Sequence, residues 1–143
     1  MTSESGTTRG AQGGGGIPLP PSTAPAIRVV MMPRDTNPQG SIFGGVLMSL
    51  IDQAAWIEAL RQASRRYVTV AMDKVVFKEP VLVGDVLSIW ARTVRIGRTS
   101  ITVHVDVRAW RHETGQPDVP VTSAEVVMVA VGADGKPVAI SGG

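Results

Sequence analysis

One acidic residue interrupts a long apolar stretch of the sequence and is the first candidate for chemistry. Asp52 is the only ionisable residue between Val46 and Ile57. A lone carboxylate among apolar residues costs free energy unless it is hydrogen bonded, paired or used, and a carboxylate so placed is suited to act as a general base. The residues alone also allow a second interpretation, in which Asp52 is satisfied at a subunit seam or by solvent at a cleft.

A pair of glycines, Gly44 and Gly45, directly precedes this apolar stretch. Glycine lets another molecule approach the backbone closely, and the first turn of a helix offers free N–H groups and a partial positive charge. Such donors suit a carbonyl oxygen that becomes an oxyanion. Asp52 follows Gly45 by seven residues, which is two helical turns or about 10 Å on roughly the same face. The glycines could equally serve only as a tight turn from loop to helix.

The elements that carry these residues follow from the hydrophobic period of the chain. Residues 27–32 are predicted as a short apolar strand and residues 33–45 as a loop, because Pro and Gly recur there. In residues 46–65, apolar side chains recur at helical spacing without Gly or Pro. This pattern predicts a long helix that is buried over most of its circumference.

After residue 66 the period changes to two residues, which is typical of strands. Strands are predicted at 67–77, 85–96, 98–110 and 121–131, with turns at 79–85, 97–98 and 132–137 and a loop at 111–120. The strand at 98–110 alternates cleanly, with Ile101, Val103, Val105 and Val107 on one face. No helices separate these strands, so a doubly wound parallel sheet is excluded. We expect an α+β fold in which one long helix faces a five-stranded antiparallel sheet.

One helix cannot cover five long strands, so part of the sheet is expected to meet a partner. Trp90 and Trp110 lie on the two strands of one predicted hairpin and are candidates for that contact. The sequence equally allows both indoles to cap the core of the monomer.

The first 26 residues differ in composition from the rest of the chain. Gly, Pro, Ser and Thr make up 17 of them, so this segment has too little apolar surface to offset the entropy of ordering. We therefore expect a disordered leader at residues 1–26 and one domain at residues 27–143.

The composition excludes several classes of function. The formal net charge is +2, which argues against a nucleic-acid partner but allows a local basic patch for a phosphate-bearing ligand. The chain has no Cys and only two His, so disulfides, thiol catalysis and a metal centre are not expected. It has neither a signal peptide nor an apolar run long enough to span a membrane. We expect a cytoplasmic protein without a membrane partner.

The sequence also resembles a known family over about 115 of its 143 residues. The stretch MPRDTNPQGSIFGGVLMSLIDQAA, followed by VTVAMDKVVFKEPVLVGDVLSIWARTVRIGRTSITVHVDV and later VVMVAVGADGKPVAI, is similar to bacterial acyl-CoA thioester hydrolases of the hotdog fold. The resemblance implies a central helix wrapped by a five-stranded antiparallel sheet, in agreement with the strand count. It also implies dimers with active sites at their interface, often assembled as trimers of dimers.

The resemblance implies roles for three residues of the first motif. Asp52 matches the catalytic carboxylate, which either activates water or attacks the thioester to give a mixed anhydride. Asn37 matches a residue that places the water or the carbonyl, typically from across the dimer interface. Gly45 matches the glycine whose N–H meets the thioester oxygen. The implied reaction is the hydrolysis of acyl-CoA to a free acid and CoA, without a metal or a separate cofactor.

Coenzyme A carries phosphates, so basic and hydroxyl side chains are expected along its path. Candidates near the predicted hairpin and the preceding strand are Lys78, Arg95, Arg98, Thr99 and Ser100. Gly44, Phe43 and Phe77 are expected near the thioester end.

Two other functions remain open to the sequence. A hotdog domain could bind acyl-CoA as a sensor without cleaving it, although the retention of Asp52 argues against this. A hotdog dehydratase pairs a His with a carboxylate near the helix, and the helix region here contains no His.

Overall fold

The computed structural model describes residues 19–141, which form one α-helix, five strands and two 3-10 turns at Pro33–Asp35 and His112–Thr114. In chain order the elements are β1 (Ile27–Val30), α1 (Gly44–Gln62), β2 (Arg66–Phe77), β3 (Val86–Ile96), β4 (Ser100–Arg111) and β5 (Gln116–Val131). The strands pair antiparallel in the order β1-β3-β4-β5-β2. The predicted α+β architecture, with one long helix and a five-stranded antiparallel sheet, is confirmed.

The helix α1 begins at Gly44 and ends at Gln62, slightly earlier at both ends than predicted. Ala63 takes an extended conformation, and its carbonyl accepts a hydrogen bond of 2.8 Å from the Tyr67 hydroxyl. This bond satisfies one of the carbonyl groups that a helix end leaves without a partner.

Only one face of α1 packs on the sheet. Leu47, Ile51 and Ala54 are among its buried residues, whereas Met48, Trp56 and Ile57 are more than a third exposed. The prediction of a helix buried over most of its circumference is therefore wrong for the single chain, because the sheet covers one side of the helix and leaves the other open.

The core lies between α1 and the inner face of the sheet. Ile101, Val103, Val105 and Val107 are fully buried, as the alternation in β4 predicted. Side chains at the intervening positions of β3 and β4 point to the outer face, away from the helix. Trp90 and Trp110 belong to this outer set, so they do not cap the core, and Trp110 remains 43% exposed.

Strand β5 begins earlier than the sequence indicated. The predicted loop at 111–120 contains a short 3-10 turn at His112–Thr114, and β5 already starts at Gln116. Pro117 and Pro120 suggested a loop because proline cannot donate to a sheet. They are accommodated because β2 ends opposite Thr122, so the part of β5 before Val121 pairs with β4 alone.

The edge strand β2 contains two bulges, one between Thr69 and Ala71 and one between Asp73 and Val76. Each bulge adds one residue and switches the face to which later side chains point. Two bulges restore the original phase, so Thr69, opposite Met128, and Phe77, opposite Thr122, both face the helix. The bulges thus decide which β2 side chains reach α1.

Part of the segment assigned to the leader has defined contacts. The Leu19 N–H donates to Gln62 Oε1 at 2.8 Å, and Arg61 donates to the Pro20 carbonyl at 2.8 Å. Ala26 extends the pairing of β1 by donating to the Ile89 carbonyl. The rest of the predicted leader, residues 1–18, lies outside the described residues.

Candidate active site

Asp52 lies half-buried on α1, beside the edge strand β2. The Thr69 hydroxyl donates to Asp52 Oδ1 at 2.6 Å, a length typical of a bond to a charged acceptor. Within residues 19–141, Thr69 is the one side chain that donates to this carboxylate. The second oxygen, Oδ2, is therefore available to a water molecule or a substrate.

Thr69 is a functional candidate that the sequence reasoning missed. Its position in β2 faces the helix, as does that of Tyr67 two residues earlier. A polar residue on the inward face of a strand was the available signal. The pairing of Thr69 with Asp52 also depends on the register of β2, which two bulges set and the sequence pattern does not show.

The beginning of α1 presents two free N–H groups. The N–H of Phe43 donates to the Asp35 carbonyl and that of Val46 to the Phe43 carbonyl. Among the described residues, the N–H groups of Gly44 and Gly45 meet no acceptor. These two donors lie at the positive end of the helix, where a developing oxyanion would be stabilised.

Gly44 and Gly45 differ in what surrounds them. A Cβ at Gly44 would lie 3.7 Å from Cζ of Phe77, in ordinary contact. A Cβ at Gly45 would have no described atom within 4 Å. The space beside Gly45 is therefore open to another molecule, and a side chain there would project into it.

A groove of about 320 Å³ runs beside the helix start. Three of the predicted substrate-binding residues, Gly44, Phe77 and Lys78, line it. Its other lining residues are Ile42, Leu47, Glu79, Pro80 and Val81. Phe43, the residue before the helix, is 48% exposed next to this groove. The structure thus brings an apolar surface, the Lys78 cation and the Glu79 carboxylate close to the N–H groups of α1.

The ion pair between Asp85 and Arg111 stabilises the other side of this groove. Asp85 is 2% exposed and accepts hydrogen bonds from the Arg111 guanidinium and from the Leu82 N–H. Arg111 also donates to the Pro80 carbonyl at 2.9 Å. Hydrogen bonding to Asp85 raises the pKa of Arg111. This pair therefore fixes residues 80–85 relative to β4.

Asn37 shapes the loop that leads into α1. Its Oδ1 accepts the N–H groups of Gln39 and Ser41 at 2.9 and 3.1 Å, and its Nδ2 donates to the Ser41 hydroxyl at 3.0 Å. The structure does not bring Asn37 into hydrogen-bond contact with Asp52 of the same chain. Among the described residues, Nδ2 has this one acceptor, so its second hydrogen can donate to a group from outside them.

The remaining candidates lie at the opposite end of the sheet. Ser100 lies in one row with Val129 and Val68, whereas Phe77 shares a row with Thr122 and Val107. Seven residues of β4 separate the two rows, or roughly 23 Å. Arg95, Arg98 and Thr99 belong to the same hairpin end as Ser100. Within one chain, these four residues therefore do not join Lys78 in a single site.

A second carboxylate on α1, Glu58, is more deeply buried than Asp52 and was not singled out from the sequence. It is 3% exposed and accepts hydrogen bonds from Arg61, Gln62 and Thr93. Burial alone would raise its pKa, but the hydrogen bonds and the charge of Arg61 outweigh burial and lower it. Glu58 is consequently a satisfied structural anion, without an oxygen open to a substrate.

Two further features of the described residues concern a metal site and a membrane-spanning helix. Within residues 19–141, no three His, Asp or Glu side chains are grouped as ligands of a metal ion would be. In the same part of the chain, no helix is both long enough and apolar enough to cross a membrane.

Comparison with known proteins places this geometry in context. The thioesterase superfamily matches residues 39–115. An uncharacterized acyl-CoA thioester hydrolase of Zymomonas mobilis is 46% identical over 121 residues, 84% of this chain and 80% of the relative. The acyl-CoA thioester hydrolase YciA of Escherichia coli is 39% identical over 118 residues, 80% of this chain and 88% of YciA.

Similar solved structures are also thioesterases, like the relatives found by sequence. A hexameric hotdog fold thioesterase of Campylobacter jejuni superposes with a TM-score of 0.78 at 48% identity, covering 82% of this chain and 90% of that one. A hexameric broad specificity acyl-coenzyme A thioesterase gives a TM-score of 0.75 at 33% identity, covering 98% and 88%. The fold of this chain is the hotdog fold, as the sequence resemblance implied.

Proposed function

The chain belongs to the thioesterase superfamily, and we propose that it hydrolyses acyl-CoA thioesters to a free carboxylic acid and CoA. One observation carries the proposal: Asp52, held by Thr69, lies two helical turns after the free N–H groups of Gly44 and Gly45. The arrangement offers a carboxylate and an oxyanion site on one open face of a helix. The relatives named acyl-CoA thioester hydrolases support the same reaction.

The chemistry follows from these groups. The thioester carbonyl accepts the Gly45 N–H, which stabilises the negative charge that develops on its oxygen. Asp52 either takes a proton from the attacking water or attacks the carbonyl carbon itself, giving a mixed anhydride that water then hydrolyses. In both routes the C–S bond breaks and CoA leaves as the thiol. Thr69 acts as a positioning residue, because its hydroxyl fixes Oδ1 of Asp52 and leaves Oδ2 free to face the substrate.

We propose that a second subunit completes the site. The exposed face of α1 around Asp52 carries Met48, Trp56 and Ile57. The adjoining edge strand β2 exposes Val68, Val70, Val76 and Phe77. Burying this apolar surface between two chains would exclude water from Asp52 and bring in Asn37 of the partner subunit, whose free Nδ2 hydrogen can hold the water or the carbonyl. The named structural neighbours are hexamers, and a trimer of such dimers fits that assembly.

The path of CoA is proposed on the same basis. Phe43 and Phe77 flank the thioester end, next to Gly44, and Lys78 lies in the adjoining groove. Arg95, Arg98, Thr99 and Ser100 lie at the opposite end of the sheet from Lys78, roughly 23 Å away within one chain. We therefore assign the phosphate contacts of this hairpin to a CoA bound at the site of another subunit.

The reaction as written needs no metal ion and no cofactor besides the CoA of its substrate, and this stays a prediction, as does the cytoplasmic location. Release of free thiol from a panel of acyl-CoAs of different chain length tests the function. Thiol release by wild type and its loss in Asp52→Asn supports hydrolysis. Binding of acyl-CoA without any release by wild type would instead make the chain an acyl-CoA sensor.

A further inference from the structure

The ion pair between Arg111 and Asp85 joins the end of β4 to the loop between β2 and β3. The Asp85 side chain is 3% exposed and that of Arg111 is 13% exposed. The guanidinium donates to both oxygens of the carboxylate at 3.0–3.3 Å and to the Pro80 carbonyl at 2.9 Å. A buried ion pair is often no more stabilising than apolar residues of the same volume. Its geometry therefore points to a role in holding the loop in one position.

The same loop holds the beginning of the segment 31–42, which leads from β1 toward α1. The Met31 N–H donates to the Asp85 carbonyl, and the Met31 carbonyl accepts the Gly84 N–H, both at 2.9 Å. The Asp85 carboxylate also accepts the Leu82 N–H at 3.0 Å. Asp85 therefore connects β4 to its own loop through its side chain and to Met31 through its backbone.

The last residues of this segment are held by the loop as well. The Ile42 N–H donates to the Val81 carbonyl at 2.8 Å, and Ser41 pairs with Leu82 in an antiparallel β-bridge. Asn37 in turn makes three hydrogen bonds to Ser41. Its N–H donates to the Ser41 carbonyl at 2.7 Å, its Oδ1 accepts the Ser41 N–H, and its Nδ2 donates to the Ser41 hydroxyl. The position of Asn37 therefore depends on the position of the loop.

We infer that Arg111 is a positioning residue for the reaction, because through Asp85 and the loop it places Asn37. This inference rests on the proposed function, in which Asn37 holds the water or the carbonyl at the site of the partner subunit. The ion pair fixes the loop to β4, the loop holds both ends of the segment 31–42, and Ser41 holds Asn37 within it. A displacement of about 1 Å, caused far from the chemistry, can reduce a rate about 100-fold.

Two substitutions of Arg111 test this role in steady-state thiol release. Arg111→Lys keeps the positive charge, but an ammonium lacks the planar fork that bonds to Asp85 and Pro80 together. We expect kcat to fall about five- to tenfold, with the fold retained. Arg111→Met leaves the Asp85 carboxylate buried without its cation, so it should lower kcat further.

The matched control is Arg108→Lys. Arg108 lies on the same strand and also forms ion pairs, but its partners are Asp106 and Asp118, outside the loop. Its side chain is more exposed than that of Arg111, and exposed ion pairs contribute little. Arg108→Lys is therefore expected to keep kcat within about twofold of wild type.

A double-variant cycle separates the positioning of Asn37 from a general loss of structure. In the Asn37→Ala background, the side chain that Arg111 positions is missing. Adding Arg111→Lys there should change kcat by less than about twofold, because the two effects act through one group. A purely structural role of Arg111 would give the same fold loss in both backgrounds.

Amide hydrogen exchange measures the hold on the segment without reference to turnover. In Arg111→Lys, a peptide covering residues 31–42 should exchange at least about fivefold faster than in wild type, whereas the part of α1 around the buried Ala54 should be unchanged. Unchanged exchange in the segment, wild-type kcat in both Arg111 variants, or equal losses of kcat with and without Asn37 would each overturn the inference.

Failure of the proposed function is distinguishable from failure of this inference. A wild-type chain that releases no thiol from any acyl-CoA refutes the proposed function and, with it, the catalytic part of the inference. A wild-type chain that releases thiol, alongside unaffected Arg111 variants, refutes the inference alone.

Discussion

Replacing Thr69 by Val isolates the contribution of one hydrogen bond to the proposed reaction. Val has nearly the shape of Thr but lacks the hydroxyl that donates to Asp52 Oδ1 at 2.6 Å. A hydrogen bond to a charged group contributes about 1.5–3 kcal/mol. Because Thr69 is exposed in the single chain, water can replace part of this bond, so we take the lower half of the range. The expected fall in kcat is about 10- to 50-fold.

The assay is steady-state thiol release from one acyl-CoA by wild type, Thr69→Val and Thr69→Ser. The hydroxyl holds the carboxylate and is not assigned a contact with CoA, so KM should change less than threefold or so while kcat falls. Thr69→Ser keeps the donor and is expected to recover most of the rate. A Thr69→Val enzyme with wild-type kcat, alongside an inactive Asp52→Asn, would refute the positioning role while leaving the catalytic role of Asp52 intact.

Three further predictions concern other parts of the molecule. Hydrogen bonds lower the pKa of Glu58 in the folded chain. Its contribution to stability is therefore present above the ordinary pKa of 4.5 and is lost as the pH falls from 4.5 through the lowered pKa. The melting temperature of wild type should consequently drop more steeply in acid than that of Glu58→Gln. Asn37→Ala should reduce thiol release less than Asp52→Asn, because the carboxylate remains, and equal losses would contradict the assigned order. Deletion of residues 1–18 should leave stability and turnover unchanged. Deletion of residues 1–24 also removes the hydrogen bonds of Leu19 and Pro20, so the free energy of unfolding measured by chemical denaturation should fall by about 1 kcal/mol while kcat stays within about twofold. A larger loss of activity would place the segment at the site.

The sequence pattern was sufficient to predict that the start of the helix and Asp52 lie on the same face of α1. The spacing of seven residues predicted one common face, and Gly45 and Asp52 do share the side of α1 that the sheet leaves open. Helical periodicity is local, so a stretch without Gly or Pro determines this geometry without knowledge of the rest of the fold.

Contacts between distant elements could not be predicted from the sequence pattern. Thr69 reaches Asp52 because of the register of β2 against β5, and two bulges interrupt that pairing after Thr69. The separation of Lys78 from Arg98 likewise depends on strand direction and register, which set the hairpin and the end of β2 at opposite ends of the sheet. Glu58 was missed because three partners from two elements satisfy it, and its sequence neighbourhood shows only Arg61 and Gln62.

The proline-containing start of β5 shows a different reason for a wrong prediction. Pro117 and Pro120 argue against a strand when each residue is considered alone. Their positions are compatible with the sheet because β2 does not extend along this part of β5. Local propensity was overridden by the length of a neighbouring strand, which only the assembled sheet defines.

The central claim is that Asp52 carries out thioester hydrolysis, and Asp52→Asn tests it most directly. The substitution keeps the size of the side chain and removes its capacity to act as a base or a nucleophile. Measured by thiol release from an acyl-CoA that wild type cleaves, turnover should fall by at least about two orders of magnitude, with the fold and CoA binding retained. A folded Asp52→Asn protein that binds CoA and releases thiol at nearly the wild-type rate would contradict the account.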